Sequence, residues 1–274
     1  MNREGLDTFY KVYSNTGGTP PMSKAIPKQH TKKCESFPFE ICIPVSADEN
    51  PVQLRDTTLL MCKAYRIPAE KITVLVAEKS QEAEFRSTLL PGSYGRILSG
   101  KRIQSGFFSE GTPIVYINSC ITGIYEYDSE AEGQRKATKS LLGLLKAGFS
   151  EAEKAGALLW GIQTLDSPRR VLKPKVGKSL RLISRFFFGC IFSDFDAHLR
   201  PEDDIERTLL FYQKTGSVVT LKMYGITTCK KSVWLPSEAR RLQGLYSEFV
   251  IVTEKGGCIL LVLRDTYKHK KKKE

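Results

Sequence analysis

The sequence predicts an α/β protein: one domain on a mixed, mostly parallel sheet flanked by helices. Three observations carry this. Short β-branched runs alternate with helix-patterned segments in the order strand, helix, strand, helix, strand, strand across residues 39–119. One of those runs, KITVLVA, is apolar at successive positions, as a strand buried on both faces must be. The chain has 274 residues, 41% of them apolar, which is enough for a substantial core, and it shows no internal repeat.

The elements follow in order. Residues 1–37 are rich in Gly, Pro, Ser, Thr and Lys without sustained period and read as an irregular, wrapping arm. FEICIP supplies a first strand. Asn50 then caps a helix that has Pro51 in its first position and runs to about Arg66. KITVLVA is the second strand, residues 80–89 a helix, and RILSG and TPIVYINS two further strands. A helix over residues 134–149 precedes the strand ALLWGIQT, and RLISRFFFGCIF reads as a strand pair or the junction of a strand and a helix. Pro201 opens a helix whose first turn holds Glu202, Asp203 and Asp204, favoured by the helix dipole, and Gly216 closes it. SVVTLKMYGITT reads as one strand, PSEARRLQGLYSEF as a helix, and VIVTEKGGCILLVL as a hairpin turning at residues 255–257. The domain boundaries are an arm over 1–37, a folded domain over 38–265 and a basic tail over 266–274.

Composition narrows the function. Residues 1–18 are polar and no apolar run reaches spanning length, which predicts an intracellular protein without a membrane partner. Seven cysteines without C-x-x-C pairs fit reduced thiols, and the three histidines lack metal-ligand spacing. The net charge of +12 is concentrated partly in the tail, which has five lysines, and partly in SPRRVLKPKVGKSLR. In that run Arg169, Arg170, Lys173, Lys175, Lys178 and Arg181 form a cationic loop able to meet nucleic-acid phosphates. Its GKS is no phosphate-cradling motif, because Leu172 stands where the first glycine belongs. The lysine tail reads as a nuclear, virion or DNA contact, or equally as a solvated end. Trp160, Phe186, Phe187 and Phe188 lie within apolar runs and read as core residues before base-stacking ones.

Three stretches carry a resemblance: ICIPVSADENPVQLRDTTLLMCKAYRIPAEKITVLVAEKSQEAEF, then GTPIVYINSCITGIYEY, then ALLWGIQTLDSP with EDDIERTLLFYQKTGSVVTL. In order and spacing, over roughly residues 38–230, they resemble the TET/JBP-associated glycosyltransferases. The resemblance implies a nucleotide-sugar-binding GT-A fold and a link to glucosylation of hydroxymethylated DNA bases. It also implies three aspartates after PIVYI that hold a divalent metal on the donor diphosphate. Here Asn118, Ser119 and Cys120 stand in those places, facing a cleft at the sheet's carboxyl edge. An amide, a hydroxyl and a thiol do not supply the anionic oxygens that Mg²⁺ or Mn²⁺ prefers, so no metal cofactor is expected.

The resemblance further implies nucleotide-sugar contacts at Ser46, Glu78, Gln104, Asn118 and Cys120, and a general base at Asp203 or Asp204. Other positions depart from the family pattern: Ser46 to Asn50 contain no arginine, a Gln-Arg-Asn-like segment is reduced to Gln104, Ser105 and Gly106, and Leu158 replaces a histidine before Leu159-Trp160-Gly161. Three readings follow. One is a catalytically impaired glycosyltransferase relative that serves as a binding or structural component with a protein partner. Another is an active, metal-independent glycosyltransferase using the cations of 169–181. The third is a nucleic-acid-binding module.

Overall fold

The computed structural model describes residues 8–11, 37–100, 107–127, 135–162, 176–193, 199, 203–229, 236–255 and 258–264. Strands are β1 (Thr8–Lys11), β2 (Glu40–Val45), β3 (Ile72–Val76), β4 (Arg96–Ser99), β5 (Pro113–Ile117), β6 (Ile121–Tyr127) and β7 (Arg135–Ala137). They continue as β8 (Leu159–Ile162), β9 (Val176–Gly177), β10 (Phe187–Ile191), β11 (Val219–Leu221), β12 (Tyr224–Thr228), β13 (Val250–Lys255) and β14 (Cys258–Leu263). The helices are α1 (Pro51–Leu54), α2 (Leu60–Ala64), α3 (Gln81–Thr88), α4 (Leu141–Lys154), α5 (Asp204–Thr215) and α6 (Pro236–Leu245), with a π turn (Arg55–Leu59) joining α1 to α2.

The eight-stranded sheet runs β4-β3-β2-β5-β10-β8-β11-β9. Its β4, β3, β2 and β5 are mutually parallel, β10 runs against both neighbours, and β11 is parallel to β8. The predicted mixed, mostly parallel sheet flanked by helices is therefore present. From β2 the chain steps through β3 to β4 on one side, while β5 lies on the other. The carboxyl ends of β2 and β5 thus flank the topological switch point, where an open α/β sheet binds ligands.

Period-two alternation assigns each strand's two faces to different layers. Ile41 and Ile43, with Val115, Ile117, Trp160 and Phe187, pack under Leu54, Leu59, Met61, Leu145 and Phe149 from the α1–α4 side. Cys42, Leu75, Ile114, Tyr116, Leu159 and Phe188 face the other way, onto Ile205, Leu209 and Tyr212 of α5, Leu242 of α6, and Leu261 and Leu263 of β14. Trp160 is fully buried, edge-on to Phe149 at 5.4 Å, and a Cβ at Gly148 or Gly189 would collide with its indole. The core reading of Trp160, Phe187 and Phe188 holds, and Phe186 is partly buried against the same core.

Four expectations are corrected. The helix expected over 134–149 begins at Leu141, where Ser140 accepts from the Gly143 amide, and the residues before it form β7. SVVTLKMYGITT is two strands in two sheets, because the chain turns at Lys222 and Met223 from β11 to β12, which pairs with β6. RLISRFFFGCIF holds one strand, β10, preceded by irregular backbone. Within the arm, residues 8–11 pair with β14 as a third strand beside β13, so the arm is not irregular throughout. No helix among the described residues is long and apolar enough to cross a membrane.

Candidate functional site at the sheet's carboxyl edge

Four segments meet at the switch point. After β2, Ser46 and Glu49 form a reciprocal pair: the Ser46 amide donates to Glu49 Oε2 at 3.0 Å, and the Glu49 amide to the Ser46 carbonyl at 3.1 Å. Glu49 thus closes the Ser46–Glu49 turn with both its amide and its carboxylate, and Asn50 then caps α1 by accepting from the Val52 amide at 2.7 Å. After β3, the Gln81 amide group donates to the Ser46 and Ala47 carbonyls at 3.4 and 3.3 Å, and its oxygen accepts from the Glu78 amide at 3.0 Å. Gln81 therefore ties the turns that follow β2 and β3. Ser46 and Glu78 are both exposed there.

The turn after β5 is closed on itself. Asn118 Oδ1 accepts from the Cys120 amide at 3.0 Å, and the Asn118 amide donates to the Phe186 carbonyl at 2.8 Å. Ser119 Oγ donates to Glu49 Oε2 at 2.6 Å, joining the turn to the segment after β2. From the helix side, Thr57 Oγ1 sits 2.6 Å from both the Ser119 carbonyl and its own helix's Gln53 carbonyl, sharing one proton between them, and Thr58 Oγ1 reaches the Asn118 carbonyl at 2.7 Å. Thr58 also accepts from the Ile121 amide at 3.1 Å. In a regular α-helix successive side chains diverge by about 100°. Here two adjacent hydroxyls of the π turn grip one loop, consistent with the placing of π-bulges near working parts of proteins.

One expectation about this turn is corrected. Asn118, Ser119 and Cys120 do not all face a cleft: Asn118 is half-buried at the rim, while Ser119 and Cys120 are each only 1% exposed. The cause is the bonding just described, which draws the turn down onto Thr57, Thr58 and Glu49. The donor set does not fit a divalent cation. The amide oxygen is engaged by Cys120, the hydroxyl is spent on a carboxylate, and the thiol is buried. Among the described residues no group of three or more His, Cys, Asp or Glu side chains could hold a metal.

α5 delivers the acids. The Ile183 amide donates to Thr208 Oγ1 at 3.2 Å, so the first turns of α5 are anchored to the same 183–186 segment that accepts from Asn118. Asp203 occupies the N-cap position without a side-chain capping bond, and Asp204 Oδ1 accepts from the Ile205 amide at 3.0 Å. Burial raises the Asp204 carboxyl from 3.8 to about 6, against the opposing pull of the Arg185 and Arg207 charges and its backbone hydrogen bonds. Asp204 and Arg207 line a seam with Leu159, Ile183, Phe188 and Thr208. Arg207 is nearly fully buried, its guanidinium 4.9 Å from the Phe188 ring centre and 5.4 Å from that of Tyr116, and these two rings stack at 4.4 Å.

Other candidates lie apart. Lys178 is exposed and 3.7 Å from Glu151, and Arg181 is partly buried. Gln104, Arg169, Arg170, Lys173 and Lys175 fall outside the described residues, as do the lysines of the tail. Cys42 and Cys62 are thiols pushed up to about 12 by burial and are chemically quiet. Sequence reasoning missed Thr57, Thr58, Gln81 and Arg185. The pair of β-branched hydroxyls inside a helix pattern was the available signal for the first two, since Ser and Thr hydroxyls seek backbone partners. Compared with known proteins, the chain matches no family model and no curated protein.

Proposed function

We propose that this protein is a GT-A-fold relative of DNA-base glycosyltransferases that has lost metal-dependent sugar transfer and acts as a binding or structural component. The observation that carries the reading is the closed, neutral turn after β5, at the switch point where the resemblance implies metal-binding aspartates. A site selected to hold a metal diphosphate needs outward carboxylates, whereas this turn spends its polar groups on its own scaffold. The mixed sheet, with its switch point between β2 and β5, supports the fold part of the reading.

A second reading, metal-independent transfer, rests on Asp204. A carboxyl held near 6 has the basicity to accept a proton from an acceptor hydroxyl, and local opening of its closed seam over β8 and β10 would have to admit that acceptor. A transfer assay separates the two, using radiolabelled UDP-glucose and DNA containing hydroxymethylated cytosine. The first reading predicts no transfer with or without Mn²⁺. Transfer that needs no metal and disappears in Asp204→Asn would establish the second, and Mn²⁺-stimulated transfer would overturn both.

A further inference from the structure

A groove of about 490 Å³ lies at the opposite end of the sheet, at the start of β3. Its floor is Leu59, Ile67 and Ile72, all buried, and its two walls are the helical segment 55–66 and the turn 90–93. That turn is built by Pro91 and Gly92, with Gly92 at φ 79° and the Ser93 amide bonded to the Leu90 carbonyl at 3.1 Å. Leu60 and Leu90 stand on facing rims, 57% and 58% exposed. The volume falls in the range of small-molecule sites, which are mostly apolar with a few placed polar groups.

The charges at this groove are one-sided. Arg55 is paired with Asp56 at 2.7 Å, but no carboxylate among the described residues pairs with Lys63 or Arg66. Arg66 is also the sole non-glycine with positive φ among the described residues, at 58°. It occupies the position after the C-cap of a Schellman ending, in which the Ile67 amide bonds the Cys62 carbonyl and the Arg66 amide the Lys63 carbonyl, each at 3.0 Å. Glycine is the usual residue there, because a side chain is strained in the left-handed region. The Schellman bonds account for the backbone turn, and an arginine there sets a guanidinium at the groove's edge in a conformation that glycine would adopt with less strain.

We infer that this groove is a binding site for a small amphipathic anion, its aliphatic body lying on Leu59, Ile67 and Ile72 between the two exposed leucines and its carboxylate or phosphate held by Lys63 and Arg66. The inference does not rest on the carboxyl-edge reading: the π turn serves both regions, with Thr57 and Thr58 on the turn after β5 and Arg55, Asp56 and Leu59 lining the groove.

The test is titration of the full chain with decanoate, decanol and acetate below micellar concentrations, followed by calorimetry. Decanoate binds saturably at one site, at least tenfold tighter than decanol, which has the chain without the charge, or acetate, which has the charge without the chain. Ala69→Trp, which fills the groove, abolishes that binding. Arg66→Gly weakens it several-fold while raising the melting temperature by about 2 °C, because the left-handed strain is relieved. A purely structural Arg66 would leave decanoate binding unchanged on that substitution. Absence of saturable decanoate binding, equal affinity for decanol, or undiminished binding in either variant overturns the proposal.

Discussion

Thr58→Val is expected to destabilise the fold by about 2–3 kcal/mol, whereas Thr57→Val costs less than about 1 kcal/mol. Valine matches threonine in shape, so the α1–α2 packing survives and the difference isolates the hydroxyls. Thr58 is fully buried and serves both Asn118 and Ile121, so its loss leaves the Asn118 carbonyl and the Ile121 amide only their long 3.3 Å bond to each other. Thr57 is only half-buried, and water can replace its contribution at the Ser119 carbonyl. Denaturant midpoints at constant slope measure both. Equal, small effects for the two variants would mean that the turn after β5 is held by its own backbone and not by the π turn.

Asp204→Asn is expected to stabilise the protein at pH 8 by up to about 3 kcal/mol and to make little difference at pH 4. The folded-state carboxyl sits near 6 against 3.8 for an ordinary aspartate. Between those values the native state holds a proton that the unfolded chain has released, so stability falls as pH rises through the window and the penalty is complete above about 6. Asparagine cannot ionise, and its oxygen can still accept from the Ile205 amide. The benefit of the substitution should therefore appear between pH 4 and 6 and then level off. An Asn variant neutral across the whole range would instead place Asp204 in well-solvated surroundings.

The contrast between legible and illegible features follows from locality. Strands β2, β3 and β5 and the helix starting at Pro51 were readable because β-branched runs, Asn50 and Pro51 act over a few residues. The same holds for Gly216, found at φ 69° closing α5. The helix start at Leu141 was misplaced because Gln134, Arg135, Lys136 and Ala137 all favour helix, and it is pairing with β6 that holds 135–137 extended. Likewise, nothing local tells that β11 and β12 part at Lys222, because the two strands answer to different partners.

At the site, the residue types of 118–120 were legible but not their burial. Ser119 and Cys120 turn inward because of Thr57, Thr58 and Glu49, which lie more than sixty positions away in the chain. The raised acid on α5 was equally invisible, since its cause is enclosure by residues from three separate segments.

The central claim is that the strand end at the switch point has no metal-dependent donor site. Calorimetric titration of the full chain with UDP-glucose, run with and without Mn²⁺, tests it most directly. The same isotherm is expected in both conditions, whatever the affinity for the nucleotide sugar. A tenfold tighter binding with Mn²⁺, about 1.4 kcal/mol, would contradict it and require carboxylates outside residues 118–120 to hold the cation.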